Sequence, residues 1–165
     1  MTTEHDISTS GRRKLRLLQV DKQTLALRDE EVLTVVEWTE PTPLPFAPAS
    51  VLGVVSVQGR MFTVLDLGLL MDNEATEQEQ RFIVALRGDE QLALAVADSK
   101  SVETRIEKIT LDSVSSLVRG KIQLDGQEVA LLNVDTLFTV AIRGRERRRA
   151  GNMTAHPPLR RLRLG

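Results

Sequence analysis

Apolar and polar positions alternate through most of this chain, and part of that pattern recurs at an offset of 67 residues. Val55 and Val57, ahead of Gly59, fall on Ile122 and Leu124, ahead of Gly126, while Gly53 falls on Gly120. Without a gap, Val64-Leu65-Asp66-Leu67 then matches Leu131-Leu132-Asn133-Val134, and Leu70-Met71 matches Leu137-Phe138. The same offset carries Leu25-Ala26-Leu27 onto Leu92-Ala93-Leu94. One supersecondary unit used twice predicts two similar β-rich lobes rather than a long array.

The elements follow from the local pattern. Leu15–Val20 and Thr24–Leu27 predict a hairpin around Asp21-Lys22-Gln23, and the β-branched run Val32–Trp38 predicts another strand. Glu40–Ser50 holds Pro41, Pro43, Pro45 and Pro48, so it is an extended connector and not a helix or central strand. Val51–Val57 and Met61–Leu65 form a hairpin across Gln58-Gly59-Arg60, and Ile122–Leu124 and Glu128–Leu132 form its counterpart at Asp125-Gly126. Asp-Gly is a strong signal because a two-residue hairpin turn needs positive φ. After each hairpin comes a short helix, with Asp66 and Asn133 as N-caps. Leu67, Leu70 and Met71, and correspondingly Val134, Leu137 and Phe138, are expected to pack inward. Beyond the polar link Asp72–Gln80, the strand pattern resumes at Phe82–Leu86, Leu92–Ala97 and Ser101–Ile106, with a turn at Arg87-Gly88-Asp89. Leu111–Val118 is a short helical or irregular crossover. Residues 1–13 are expected to be a flexible leader, 14–142 the folded body, and 143–165 a disordered basic arm.

Composition changes this picture in three ways. Aromatic residues make up only 3% of the 165, so the core must be built from Val, Leu, Ile and Ala. There is no cysteine, which removes disulfides, thiolate nucleophiles and cysteine metal ligands together. No apolar run approaches the roughly 18 residues of a membrane span, and polar Met1–Gly11 resembles neither a signal peptide nor an anchor, so the cytoplasm is the expected compartment. The net charge of −1 hides an asymmetry. Eight arginines after residue 142, offset by Glu146 alone, give the arm +7, and the 14 basic and 22 acidic residues before it leave the body at −8.

Catalytic chemistry is thin. His5 and His156 both lie in the expected tails, remote from any rigid triad or metal site. No Gly-Lys-Ser/Thr follows Gly53 and Gly59, so there is no phosphate-binding loop. Asp66 is an N-cap rather than a general base, since the matched position holds Asn133. Glu103 with Glu107, and Asp29-Glu30-Glu31, are solvated faces or turns. The expectation is a protein that is not an enzyme, with no cofactor, metal or specific small-molecule ligand. Trp38, the single tryptophan, either caps a lobe's core or anchors an interface.

Pro45-Phe46-Ala47-Pro48-Ala49-Ser50-Val51-Leu52-Gly53-Val54-Val55-Ser56-Val57-Gln58-Gly59, followed by Val64-Leu65-Asp66-Leu67, resembles the central motif of the CheW family. That motif runs Pro-x-x-Pro-x-apolar-x-x-Gly-apolar-x-Asn-Leu-Arg-Gly and then Val-apolar-Asp-Leu. The resemblance spans Arg16 to Val140 and rests on the spacing of Pro45, Pro48, Gly53, Gly59 and Asp66. It implies a mainly β fold: two intertwined SH3-like five-stranded β-barrel lobes in one CheW-like domain, with short helices, packed around a shared apolar seam. It also implies a non-catalytic adaptor that joins the cytoplasmic tip of a chemoreceptor to the regulatory domain of a CheA-type histidine kinase. Such a protein is cytoplasmic and recruited to membrane receptor arrays.

The chain departs from the motif at informative places. Gln58 stands where the family has Arg, Ser56 where it has Asn, Thr63 where it has Pro, and Thr34 where an acidic residue is common. The resemblance puts Val32, Thr34, Ser56, Gln58 and Gly59 near the receptor groove between the lobes, with Arg60 as a nearby guanidinium; Val32 serves equally well as core. Pro45, Pro48, Gly53, Asp66, Gly126 and Asn133 are the structural positions. An alternative is a divergent CheW-like module without receptor coupling. It would bind anionic lipid, nucleic acid or another protein through Arg145, Arg147, Arg148, Arg149, Arg160, Arg161 and Arg163. The arm lacks aromatic residues for base stacking. Leu159, Leu162 and Leu164 form at most a brief amphipathic turn after Pro157-Pro158.

Overall fold

A computed structural model describes residues 12–72, 78–105, 109–110 and 117–141. Eleven strands follow in order: β1 Arg12–Val20, β2 Gln23–Arg28, β3 Val32–Glu37, β4 Val51–Val57, β5 Arg60–Asp66, β6 Phe82–Leu86, β7 Leu92–Val96, β8 Asp98–Arg105, β9 Ile109–Thr110, β10 Val118–Leu124 and β11 Gln127–Leu132. A short helix, α1 (Leu67–Asp72), follows β5; 3-10 turns cover Asp29–Glu31 and Val134–Thr136, and the second of these runs on into α-helical residues 137–141. β1 begins inside the stretch expected to be a leader, and Val118, expected in the crossover, opens β10. The rest of the leader, residues 73–77 of the link, residues 106–108 with the expected strand end Ile106, residues 111–116 of the crossover, Ile142 and the arm 143–165 lie outside the described residues.

Two sheets form. One has the order β3-β6-β7-β5-β4, and the other β8-β1-β2-β11-β10-β9, where the two-residue β9 extends a set of five. The repeat explains this order. β2 and β7 correspond, and so do β5 and β11; the parallel pairs Thr63↔Leu92 and Ala130↔Leu25 are the same contact 67 residues apart. In each sheet, however, the partners come from opposite copies: β7 of the second copy pairs with β5 of the first, and β11 of the second with β2 of the first. Each lobe therefore takes its first two strands from one copy and the remaining three from the other. That is the physical content of the intertwining.

Both faces of the central strands are buried, and the Leu-Ala-Leu repeat shows how. Leu25 and Leu27, with Leu92, Leu94 and Val96, enter the large cluster shared by the two sheets, alongside Leu18, Leu65, Val84, Leu132 and Leu137. The intervening Ala93 and Ala95 face a second cluster within the β3-to-β4 sheet, with Val55, Val57, Phe62, Val64 and Ile83. Ala26 faces a third, with Leu15, Ile122, Val129 and Leu131. Large residues fill the seam between sheets, and alanines fit the narrow lobe interiors beside bulkier neighbours, as close packing requires. A fully buried leucine stabilises by about 1.5–3 kcal/mol, so the seam holds the lobes together. Trp38 is half-buried against the second cluster, which makes it a lobe cap.

The two helical segments differ more than their sequences suggest. An oxygen of the buried Asp66 carboxylate accepts the Leu69 N–H at 3.3 Å, the N-cap expected. Asn133 makes no such bond; its side-chain oxygen accepts from Arg119 at 3.4 Å, and its carbonyl accepts the Thr136 hydroxyl and N–H. What the two positions do share is backbone: Asp66 N–H donates to Ser50 and Asn133 N–H to Leu117, at 2.8 and 2.7 Å. Phe138 was expected to pack inward with Leu137, yet it is 49% exposed while Leu137 is fully buried. Leu137 and Ala141 are buried in the seam, and Val134 and Val140 pack against it, so the segment does face inward while Phe138 points away.

Candidate docking surface

The β4–β5 hairpin carries four of the six expected groove residues. Val57 faces Arg60 across the ladder, which leaves Gln58 and Gly59 as a two-residue turn with φ of 52° and 79°. Asp125 and Gly126 repeat that geometry at 51° and 77°. Two successive positive φ values match the right-handed twist of the strands, so both turns close tightly and project their first side chain outward. A bulge between Val51 and Gly53, and its copy between Val118 and Gly120, complete the correspondence.

Ser56 and Met61 are directly paired on the outer face, and both are exposed. Val55 and Val57 point the other way, into the lobe core. Arg60 carries the only charge of the hairpin between Val51 and Leu65. Its guanidinium sits 5.9 Å from the centroid of Phe62, a ring held rigidly in that core. Among the described residues Arg60 has no carboxylate partner. Ser56, Gln58, Gly59 and Arg60 are all exposed at the turn end of the hairpin, but Arg60, opposite Val57 and over Phe62, lies on the other face of the ladder from Ser56.

Val32 and Thr34 lie elsewhere. Both belong to β3, at the opposite end of the sheet order from β4. Val32 is 7% exposed and part of the seam cluster, so its side chain is core, while Thr34 is half-buried opposite Ala85. The pairing brings neither beside the hairpin turn. The arm arginines lie outside the described residues.

The connector is more ordered than its prolines suggest. Thr42 and Val54 exchange both backbone hydrogen bonds at 2.9 Å, so Thr42 occupies the free edge of β4. Gly53 exists for that contact: a Cβ there would lie 2.3 Å from the Thr42 carbonyl oxygen. Pro48 accepts the Val51 N–H at 3.0 Å, whereas Pro45 is exposed at the loop tip. Beside it Phe46 has φ +63° and is 89% exposed. Sequence reasoning did not single out Phe46. The available signal was that residues 41–59 hold no charged side chain, in a chain that is 27% charged.

The matching hairpin in the other sheet shows what an ordinary solvent face looks like on this scaffold. Lys121 pairs with Glu128 at 3.6 Å and Arg119 with Asp135 at 3.9 Å, where the first copy has Val54, Met61 and Leu52 at the positions of Lys121, Glu128 and Arg119. No group of His, Cys, Asp or Glu able to hold a metal occurs among the described residues.

The CheW-like domain family matches residues 14–141. Similar proteins include a chemotaxis protein CheW of Rhizobium meliloti, 29% identical over 147 residues, covering 84% of this chain and 95% of that protein. A chemotaxis protein CheW of Thermotoga maritima is 26% identical over 126 residues, 73% of this chain and 83% of its own. Among solved structures, the scaffolding protein TtCheW from Thermoanaerobacter tengcongensis superposes with a TM-score of 0.65 at 16% identity, over 73% of this chain and 88% of the other. That last likeness concerns the fold.

Proposed function

The chain belongs to the CheW-like domain family, and from that premise we propose that it is a scaffold coupling the cytoplasmic tip of a chemoreceptor to the regulatory domain of a CheA-type histidine kinase. The observation that carries the reading is the family match over nearly the whole folded body, joined to motif residues that serve structure: Gly53 for the close approach of Thr42, Pro48 for the bond to Val51 and Asp66 as a helix cap. A scaffold needs surfaces and no reactive group. In this reading the receptor docks at the turn end of the β4–β5 hairpin, on Ser56, Gln58, Gly59 and Arg60, while Val32 is seam core and Thr34, on β3 at the other end of the sheet order, stands apart from that turn. The protein would work in the cytoplasm, recruited to receptor arrays at the membrane.

The test is assembly. A receptor cytoplasmic fragment and the kinase regulatory domain, titrated separately and together, should each bind, and the presence of one should leave room for the other. Competition between them for a single site would end the coupling model.

A second reading is favoured by Gln58 and Ser56, which remove the family Arg and Asn from the hairpin. In it the chain is a CheW-like module that has given up receptor coupling and contacts anionic lipid or nucleic acid through its +7 arm. Removal of residues 143–165 should then abolish a salt-dependent attachment to anionic vesicles or nucleic acid. Attachment that survives truncation would exclude this alternative.

A further inference from the structure

We propose that Phe46, with Leu44 beside it, is an insertion anchor for the kinase regulatory domain, entering an uncharged aliphatic recess on that domain; this rests on the coupling role proposed above. The first observation is cost. A non-glycine residue at φ +63° is uncommon, and for a bulky ring it is a genuine outlier. The strain obtains no burial in return, since Phe46 is 89% exposed and Leu44 43%. Strain of this kind persists only where surrounding structure imposes it, and here the surroundings do. Thr42 is fixed to Val54 on one side, Pro48 to Val51 on the other, and Pro43 and Pro45 stiffen the span between. The ring is therefore held out on a pre-organised loop, which lowers the entropy lost on docking.

The second observation is charge. Interface cores are depleted in charged residues, and the loop with the part of β4 it runs along, 41–55, has none. The equivalent strand in the other sheet carries Arg119 and Lys121, so the scaffold does not require the neutrality. Without a cation the loop offers nothing to lipid phosphates or nucleic acid, which leaves a protein. Any charge the partner placed opposite would be desolvated without a counter-charge, so its recess must be uncharged. Thr42 already fills the β4 edge at Val54, so the partner engages side chains and does not add a strand there.

The choice between partners follows from separation. Simultaneous docking needs two surfaces, and the receptor site at Ser56–Arg60 belongs to the hairpin turn. The connector runs antiparallel to β4, from Thr42 opposite Val54 to Pro48 at Val51, so Phe46 lies toward the start of β4 and the hairpin turn is at its other end. It is thus available to the second partner.

The deciding variant is Phe46→Asn. Asn tolerates positive φ, and the exposed ring buries little, so the unfolding midpoint should hold or rise. Affinity for the isolated kinase regulatory domain should nevertheless fall about 10- to 100-fold, the range for a docked aromatic hot spot. Binding of the receptor fragment should be unchanged. Phe138→Ser, at a half-exposed ring after β11, is the control and should alter neither partner. Unchanged kinase-domain binding by Phe46→Asn would overturn the inference while leaving the coupling role intact, and an equal loss for both partners would overturn the assignment to the kinase. A wild-type chain that binds no kinase domain would remove the coupling role itself, and this inference with it.

Discussion

Gly53 and Gly59 both have positive φ, but they answer to different demands, and mutation should separate them. At Gly53 a Cβ would strike the Thr42 carbonyl, a backbone atom that cannot turn aside. Gly53→Ala should cost about 3 kcal/mol, combining steric conflict with a strained φ of +146°, as measured by urea unfolding. At Gly59 nothing lies within reach of an added Cβ, so Gly59→Ala should cost only the backbone preference, about 1 kcal/mol. A similar contrast holds between the caps. Asp66→Ala removes a real side-chain cap and should cost about 1–2 kcal/mol, while Asn133→Ala loses a long contact to Arg119 and should cost about half as much or less. Equal costs would mean that the two positions act alike after all.

Elements were far more legible in the sequence than the surface they build. The hairpins at Gln58-Gly59 and Asp125-Gly126, the strands and the proline connector all follow from alternation and turn chemistry, because those signals are local. The Leu-Ala-Leu repeat marked equivalent strands, whereas the shared seam was implied only by the family resemblance. Parallel pairing of β5 with β7 and β2 with β11 was not, since nothing local in Thr63 or Leu92 specifies a partner nearly thirty residues away. Asn133 misled because capping propensity belongs to the residue type, whereas the bond depends on where the turn begins. At the hairpin turn, Gln58 is exposed at the φ that aims its side chain outward. If the receptor enters there, Gln58→Arg should strengthen receptor binding by about 1–3 kcal/mol, the scale of a hydrogen bond to a charged group, and change kinase-domain binding little. Titration at fixed salt decides it; an unaffected receptor affinity would move the groove away from residue 58.

As a whole molecule, the protein should unfold as one unit, because neither lobe owns all its strands. The single tryptophan makes this measurable. Trp38 packs on the core of the β3-to-β4 sheet, while Ile122 is 1% exposed in the cluster of the other sheet. Ile122→Ala should therefore shift the urea transition seen by Trp38 fluorescence by the full cavity cost, about 2–5 kcal/mol, in step with far-UV circular dichroism. A Trp38 transition that stays in place would show two independently stable lobes.

The strand exchange also has a temporal side, which concerns how the chain is made. All strands of the β3-to-β4 sheet lie between Val32 and Val96, so that sheet is complete well before synthesis ends. β1 and β2 are made first but must wait for β11, whose last residue is Leu132. At roughly 5–20 residues per second, the interval from Val96 to Leu132 lasts a few seconds. During that time Leu15, Leu18, Leu25 and Leu27, all fully buried at the end, have no finished sheet to join. The newborn chain thus has a built-in period of stickiness at its N-terminal end, when a ribosome-associated chaperone has most to protect.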